Sequence, residues 1–134
     1  KLDKLSQIDS RIKIMGYLPE ADLNKLASKA YAFVNPRPLS FKPNLLNFPS
    51  KLLFYFAFEK PVLSTITPGM SPEICEAVIP IKSEKNDHLI EALELFLLST
   101  KADYDAYSKI VRDYKYKSSW INKTSLFKDW LFLK

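Results

Sequence analysis

Between Asn47 and Thr65 the chain reads N-F-P-S-K-L-L-F-Y-F-A-F-E-K-P-V-L-S-T, and this block constrains the fold more than any other. From Leu52 to Phe58 it is apolar nearly all round, and a helix of that kind has to be buried on several sides. The charged pair Glu59–Lys60 ends it, and Pro61 leads into a short strand beginning at Val62. A buried helix feeding a short strand belongs to a layered α/β protein. At the helix start Ser50 reads as an N-cap. A helix start also offers unpaired backbone N–H groups and the positive end of the dipole, which suit a phosphate.

The flanking segments repeat the alternation. Arg11–Met15 alternates and meets Gly16, which predicts a strand ending in a turn. Pro19, Glu20 and Asp22 open a helix with acids in its first turn, and Leu23, Leu26, Ala27 and Ala30 give it one buried face. Tyr31–Asn35 predicts a second strand, after which Pro36, Pro38 and Pro43 enforce a long loop. Val62–Ser64 is a third strand. Pro72 opens a short helix carrying Glu73 and Glu76, Ala77–Ile81 is a fourth strand, and a helix runs from Asp87 to Leu98. The remainder is helical, with Tyr104, Tyr107, Ile110, Val111 and Tyr114 on one side. The expected fold is α/β, a Rossmann-like parallel sheet flanked by helices, with a helical C-terminal tail. Residues 1–100 form the sheet domain and residues 101–134 the tail. Ligands of such sheets bind at the carboxyl ends of the strands. The proline loop, the Ser50 helix start, the loop from Thr65 through Thr67 to Gly69 and the Glu73 region all follow strands, so they are expected at one edge.

Composition narrows the function classes. The chain has 134 residues, 47% of them hydrophobic, enough for one domain with a core. A net charge of +5 with scattered lysines fits anionic ligands or an anionic membrane surface. The motifs of dedicated nucleic-acid binding are missing, so no nucleic-acid partner is expected. Cys75 is the only cysteine, which removes an internal disulfide and a cysteine zinc cluster and points to a reduced, cytoplasmic setting. No apolar run approaches the roughly 18 residues of a membrane span. No metal cluster, Gly-rich phosphate loop or nucleophile–base pair can be assembled, and no cofactor is expected. The chain begins at Lys1 without a methionine and reads as a piece excised from something longer.

Several stretches resemble the carboxyl-terminal, donor-binding domain of GT-B glycosyltransferases of the group-1 retaining family. The likeness runs through I-K-I-M-G-Y-L-P, A-F-V-N-P, the Pro-Ser-Lys to Lys-Pro-Val block and P-G-M-S-P-E-I, covering about residues 11 to 98. The Pro-Ser-Lys to Lys-Pro-Val block is the most specific of these pieces. The resemblance implies the C-terminal half of a GT-B fold whose first strand and helix, with the family's basic pair that grips the diphosphate, precede Lys1. It further implies a UDP- or GDP-sugar donor, and an N-terminal domain of the same protein that holds the acceptor. The implied activity is hexosyl transfer to a cell-surface glycan or lipid-linked acceptor at the inner face of the cytoplasmic membrane, with this piece inactive alone. Carried over by position, Ser50 and Lys51 would lie near the donor phosphates and the loop with Thr65, Thr67 and Gly69 at the donor cleft, with Asn47 and Arg37 also among the donor-binding residues. Glu73 is a looser match. The chain departs from the family where its two glutamates are expected, at about Leu46 and at Phe54, and it has Glu59 where the family's turn has glycine. No catalytic residue is identified. The alternatives are a non-catalytic GT-B-like scaffold and another Rossmann-like sugar-phosphate module.

Each candidate also has a plain reading. Ser50 serves as a cap alone, Lys51 and Arg37 as solvated cations, Glu73 as a favourable acid at a helix start, and Phe54 as core. Arg37 is otherwise a bidentate grip for phosphate or carboxylate. His88 has no acid or nucleophile beside it in sequence, Glu59 and Glu76 read as solvated, and Cys75 reads as a small buried residue. In the tail Trp120, Phe127 and Leu131 lie near one stripe, with Leu126 and Trp130 beside it, accompanied by Lys115, Lys117, Lys123, Lys128 and Lys134. Packing on the sheet domain, contact with another domain, and peripheral contact with a membrane surface all stand open, in that order.

Overall fold

The computed structural model describes residues 2–132, and side-chain surroundings for 4–125 and 128. The chain forms two compact units, one up to Ala30 and one from Tyr31 onward. The first holds α1 (Leu2–Ile8) and α2 (Glu20–Ser28). Glu20 and Asp22 occupy the first turn of α2, and Gly16 takes the positive φ of a tight turn. The expected strand at Arg11–Met15 does not form. A strand is stabilised by a neighbouring ladder and a face to bury against, and Ile12 and Ile14 stay exposed with no strand paired to them. The expected buried face of α2 is likewise reduced to Ala27, since Leu23 and Leu26 are exposed.

The second unit is built on three strands, β1 (Phe33–Asn35), β2 (Val62–Thr65) and β3 (Ile79–Ile81), parallel and in the order β1-β2-β3. Phe33 pairs with Val62 and Leu63 with Ile79, so the carboxyl ends of the strands lie together. Helices connect them: α3 (Pro43–Leu46) and α4 (Lys51–Phe56) precede β2, and α5 (Pro72–Glu76) precedes β3. After β3 come α6 (Asn86–Leu97), α7 (Lys101–Lys117) and α8 (Trp120–Phe132). The α/β architecture with a parallel sheet and flanking helices is therefore present, with three strands rather than four among the described residues.

Alternation along the central strand divides the core. Val62 packs with Leu52, Phe56, Met70, Ile74, Val78 and Val111, whereas Leu63 packs with Ile81, Ala92 and Phe96. All four residues of β2 are buried, as both faces of a central parallel strand require. α7 serves both clusters: Tyr104 and Tyr107 cover the second, Val111 and Tyr114 the first. Its contacts fall on the residues that precede the strands. Tyr104 Oη donates to the Tyr31 carbonyl at 3.0 Å, and Lys115 Nζ donates to the Ala57 carbonyl at 3.1 Å. Arg112 and Lys115 both pair with Glu59, at 3.1 and 2.7 Å. α7 thus lies along the amino edge of the sheet and leaves the carboxyl edge to the loops. It is itself started by a reciprocal capping box between Thr100 and Asp103. The side chains of Leu126, Phe127, Trp130 and Leu131, and the whole of Lys134, lie outside the described residues.

Candidate functional site

Asn35 ends β1 at the carboxyl edge. Its side chain is buried, and Nδ2 donates to Ser64 Oγ on β2 at 3.0 Å. The chain then passes into the proline loop. The Arg37 backbone N–H donates to Thr65 Oγ1 at 3.2 Å, which fastens the loop to the end of β2. Arg37 Nε donates to Asn44 Oδ1 at 3.0 Å and Nη2 shares that oxygen, while Asn44 Nδ2 donates to the Pro38 carbonyl at 2.7 Å. Asn44, buried, is therefore the hub that fixes the guanidinium. The far side of the loop is tied to the turn after β3, where Glu84 Oε2 accepts the Ser40 N–H at 2.7 Å. The Ser40 backbone bond, then its hydroxyl, holds the Glu84 carboxyl below the usual carboxylate range.

These residues enclose a cavity of about 560 Å³ lined by Asn35, Arg37, Asn44, Asn47, Phe48, Ser50 and Lys51. Four of the sequence candidates, Arg37, Asn47, Ser50 and Lys51, meet there. The lining has two cations, three carboxamides and a hydroxyl, and no carboxylate. Its volume falls within the ordinary range of ligand sites.

The remaining candidates are placed differently. Gly69 packs against the wall from behind: a Cβ there would lie 2.9 Å from the Asn47 carbonyl oxygen, so a side chain would displace the Asn47–Phe48 backbone. Thr65 is buried and supports Arg37 through the bond above. Thr67 is buried, and its hydroxyl has no hydrogen-bond partner. Glu73 is exposed on α5 and lines another cleft with Glu76, Asp113, Tyr114 and Lys117. A hydrogen bond from Ser71 is the main cause that lowers its pKa.

The Ser50 cap is corrected. Ser50 has helical dihedrals, φ −53° and ψ −26°, and its side chain accepts no capping bond. Pro49 has already begun the turn: the Leu52 N–H donates to the Pro49 carbonyl at 2.9 Å and the Leu53 N–H to the Ser50 carbonyl at 3.1 Å. The Ser50 N–H itself goes to the Phe48 carbonyl at 2.9 Å. The Ser50, Leu52 and Leu53 N–H groups are thus spent on the backbone, and a six-residue helix carries little dipole. What suits an anion here is the Arg37 and Lys51 side chains.

Further residues escaped sequence reasoning. Asn35 and Asn44 gave no signal beyond standing beside prolines. His88 was expected to lack a nucleophile neighbour, yet its Nδ1 lies 2.7 Å from Ser83 Oγ, across the turn that opens α6. The Lys85 N–H donates to the same hydroxyl at 3.3 Å, so the pair fastens that turn, and neither residue lines the cavity. Glu59 is ion-paired with Arg112 and Lys115 and takes φ +55°, a left-handed backbone that favours glycine. Phe54 makes edge contacts with Tyr55 and Phe58. Cys75 is half-buried against the first core cluster. Among the described residues no three His, Cys, Asp or Glu side chains converge as a metal site requires, and no helix is long and apolar enough to cross a membrane.

Compared with known protein families, with curated proteins and with solved structures, the chain matches none.

Proposed function

We propose that this chain is the donor-binding, C-terminal half of a GT-B glycosyltransferase and that the Arg37–Lys51 cavity holds the diphosphate of a nucleotide sugar. The observation that carries the reading is the carboxylate-free lining with two cations at the carboxyl edge of a parallel sheet. The reading is also supported by the Pro-Ser-Lys to Lys-Pro-Val block on the α4–β2 connection, and by the glycine-like backbone of Glu59. In this role Arg37 is preorganised by Asn44. A guanidinium already fixed in place meets the negative charge that develops on a departing diphosphate without first having to be ordered. Lys51, exposed at the cavity wall, adds a second cation. Sugar transfer itself is assigned to the complete protein with its acceptor domain.

The test is calorimetric titration of the chain with UDP- and GDP-sugars. Binding is expected to weaken about 10- to 100-fold in Arg37→Ala and in Lys51→Ala, the range for losing one charge-assisted hydrogen bond. Absence of binding to any nucleotide sugar sinks the proposal. A second reading, a GT-B-like domain without transfer chemistry, is favoured by one observation: no acid lines the cavity, and aromatic Phe54 stands at a position where the family carries a glutamate. Binding without turnover once the acceptor domain is supplied would select it.

A further inference from the structure

The loop that carries Arg37 is shaped by hydrogen bonds rather than by burial. Its apolar side chains Phe41, Leu45 and Leu46 are 59%, 40% and 84% exposed, so packing on the core does little to set its course. Asn44, which fixes the guanidinium, is itself held from two sides. Its Nδ2 donates to the Pro38 carbonyl at 2.7 Å, and its N–H donates to the Phe41 carbonyl at 2.8 Å. Leu39 and Ser40 lie between those two carbonyls in the chain. The grip on that segment comes from Glu84, which accepts the Ser40 N–H at 2.7 Å.

Glu84 is exposed and does not line the cavity. It stands between β3 and α6 on a turn with a fastening of its own. Ser83 Oγ lies 2.7 Å from His88 Nδ1 and accepts the Lys85 N–H at 3.3 Å. The anchor is thus a tied turn at the head of a twelve-residue helix, and what it holds is a loop without such support. On charge alone a carboxylate at the same sheet edge is a hindrance to an anion, since like charges repel. The bond to Ser40 gives this carboxylate a use that its charge does not.

We propose that Glu84 is a positioning residue for the Arg37–Lys51 anion site: by holding the Ser40 N–H it fixes the Pro38–Phe41 segment, which fixes Asn44 and through it the Arg37 guanidinium. The inference rests on the reading of that cavity as an anion site and adds its control from the turn after β3. When Glu84 lets go, Arg37 has to be ordered by the ligand itself, and that ordering is subtracted from the affinity. The two roles open to Glu84 differ in sign. Removal of a repelling charge tightens anion binding, whereas removal of an anchor weakens it.

Calorimetric titration of the full chain with inorganic pyrophosphate, and with UDP- and GDP-sugars, tests the proposal. Glu84→Ala is expected to weaken binding about threefold to tenfold, the range for one hydrogen bond. Glu84→Gln drops the charge but keeps an acceptor for the Ser40 N–H, and is expected to rescue binding to within about twofold of the wild type. A second measurement needs no ligand. The chain has three arginines, Arg11, Arg37 and Arg112, so the Arg37 Nε–H resonance is assigned by its loss in Arg37→Lys. That proton is expected to exchange slowly with water in the wild type and in Glu84→Gln, and rapidly in Glu84→Ala. Unchanged or tighter binding in Glu84→Ala overturns the proposal. So does an equal loss in the Ala and Gln variants, or an Arg37 Nε–H exchange rate that ignores Glu84. Wild-type binding that is indifferent to Glu84 sinks this proposal alone. A wild type that takes up neither pyrophosphate nor a nucleotide sugar sinks the cavity reading, and this proposal with it.

Discussion

Thr67 places a hydroxyl in the core with nothing to bond, on the loop that follows β2. An unsatisfied buried hydroxyl costs about 1–3 kcal/mol, and valine has nearly the same shape without it. Thr67→Val is therefore expected to raise stability by about 1 kcal/mol in urea unfolding. A loss of stability would mean that the hydroxyl is engaged after all. At this scale the sequence was informative about residue type and silent about partners. Lys51 and Arg37 were readable as cations after strands. That Asn44 would immobilise Arg37 was not, because the bond depends on how the proline loop folds back by seven residues. Ser50 failed as a cap for a related reason: proline three residues before an apolar run can itself open the helix, and the serine then falls inside the first turn.

The post-β3 turn and the proline loop illustrate the scale of elements. Glu84 joins them across forty-four residues through the Ser40 N–H, and a backbone hydrogen bond is the leading cause of its lowered pKa. A carboxyl whose folded-state pKa is depressed stabilises above its unfolded pKa, about 4.3, and loses that contribution as pH falls through the lower folded value. The Ser40 amide is thus expected to be protected from hydrogen exchange at neutral pH and to lose protection below about pH 4. Glu84→Ala should remove that protection at every pH, measured by NMR exchange; an unchanged Ser40 amide would refute the link. Element type was legible where a β-branched or helical pattern came with a proline, as at β2 and α5, and from the 3.6-residue period alone at α6. It failed at Arg11–Met15, where the alternation was present but a strand also needs a neighbour, and no local pattern supplies one.

At the scale of the whole molecule, α7 is the element that finishes the second unit. A chain ending at Ser99 keeps all three strands yet leaves both clusters without Tyr104, Tyr107, Val111 and Tyr114. It is expected to show no cooperative thermal transition and a flat near-ultraviolet circular dichroism spectrum. A chain ending at Ser118 keeps α7 and loses only α8, and should unfold cooperatively, because Trp120 and Ile121 are mostly outside the core. Equal behaviour of the two truncations would contradict this division. The helical content of the last third was plain from its periodicity. Its route along the amino edge was not, since nothing in a helical stripe says which end of a sheet it will cover.

That route has a consequence for how the protein is made. Tyr104 meets Tyr31 across a separation of seventy-three residues, and the strands are complete at Ile81, some thirty residues before Val111 emerges. At bacterial-to-eukaryotic synthesis rates of about 5–20 residues per second, the nascent chain waits roughly 2–6 s with its sheet uncovered along the amino edge. During that interval Val62, Phe56 and Ile79 are apolar surface in search of a lid, and a chaperone that engages the ribosome-bound chain will find its binding window there.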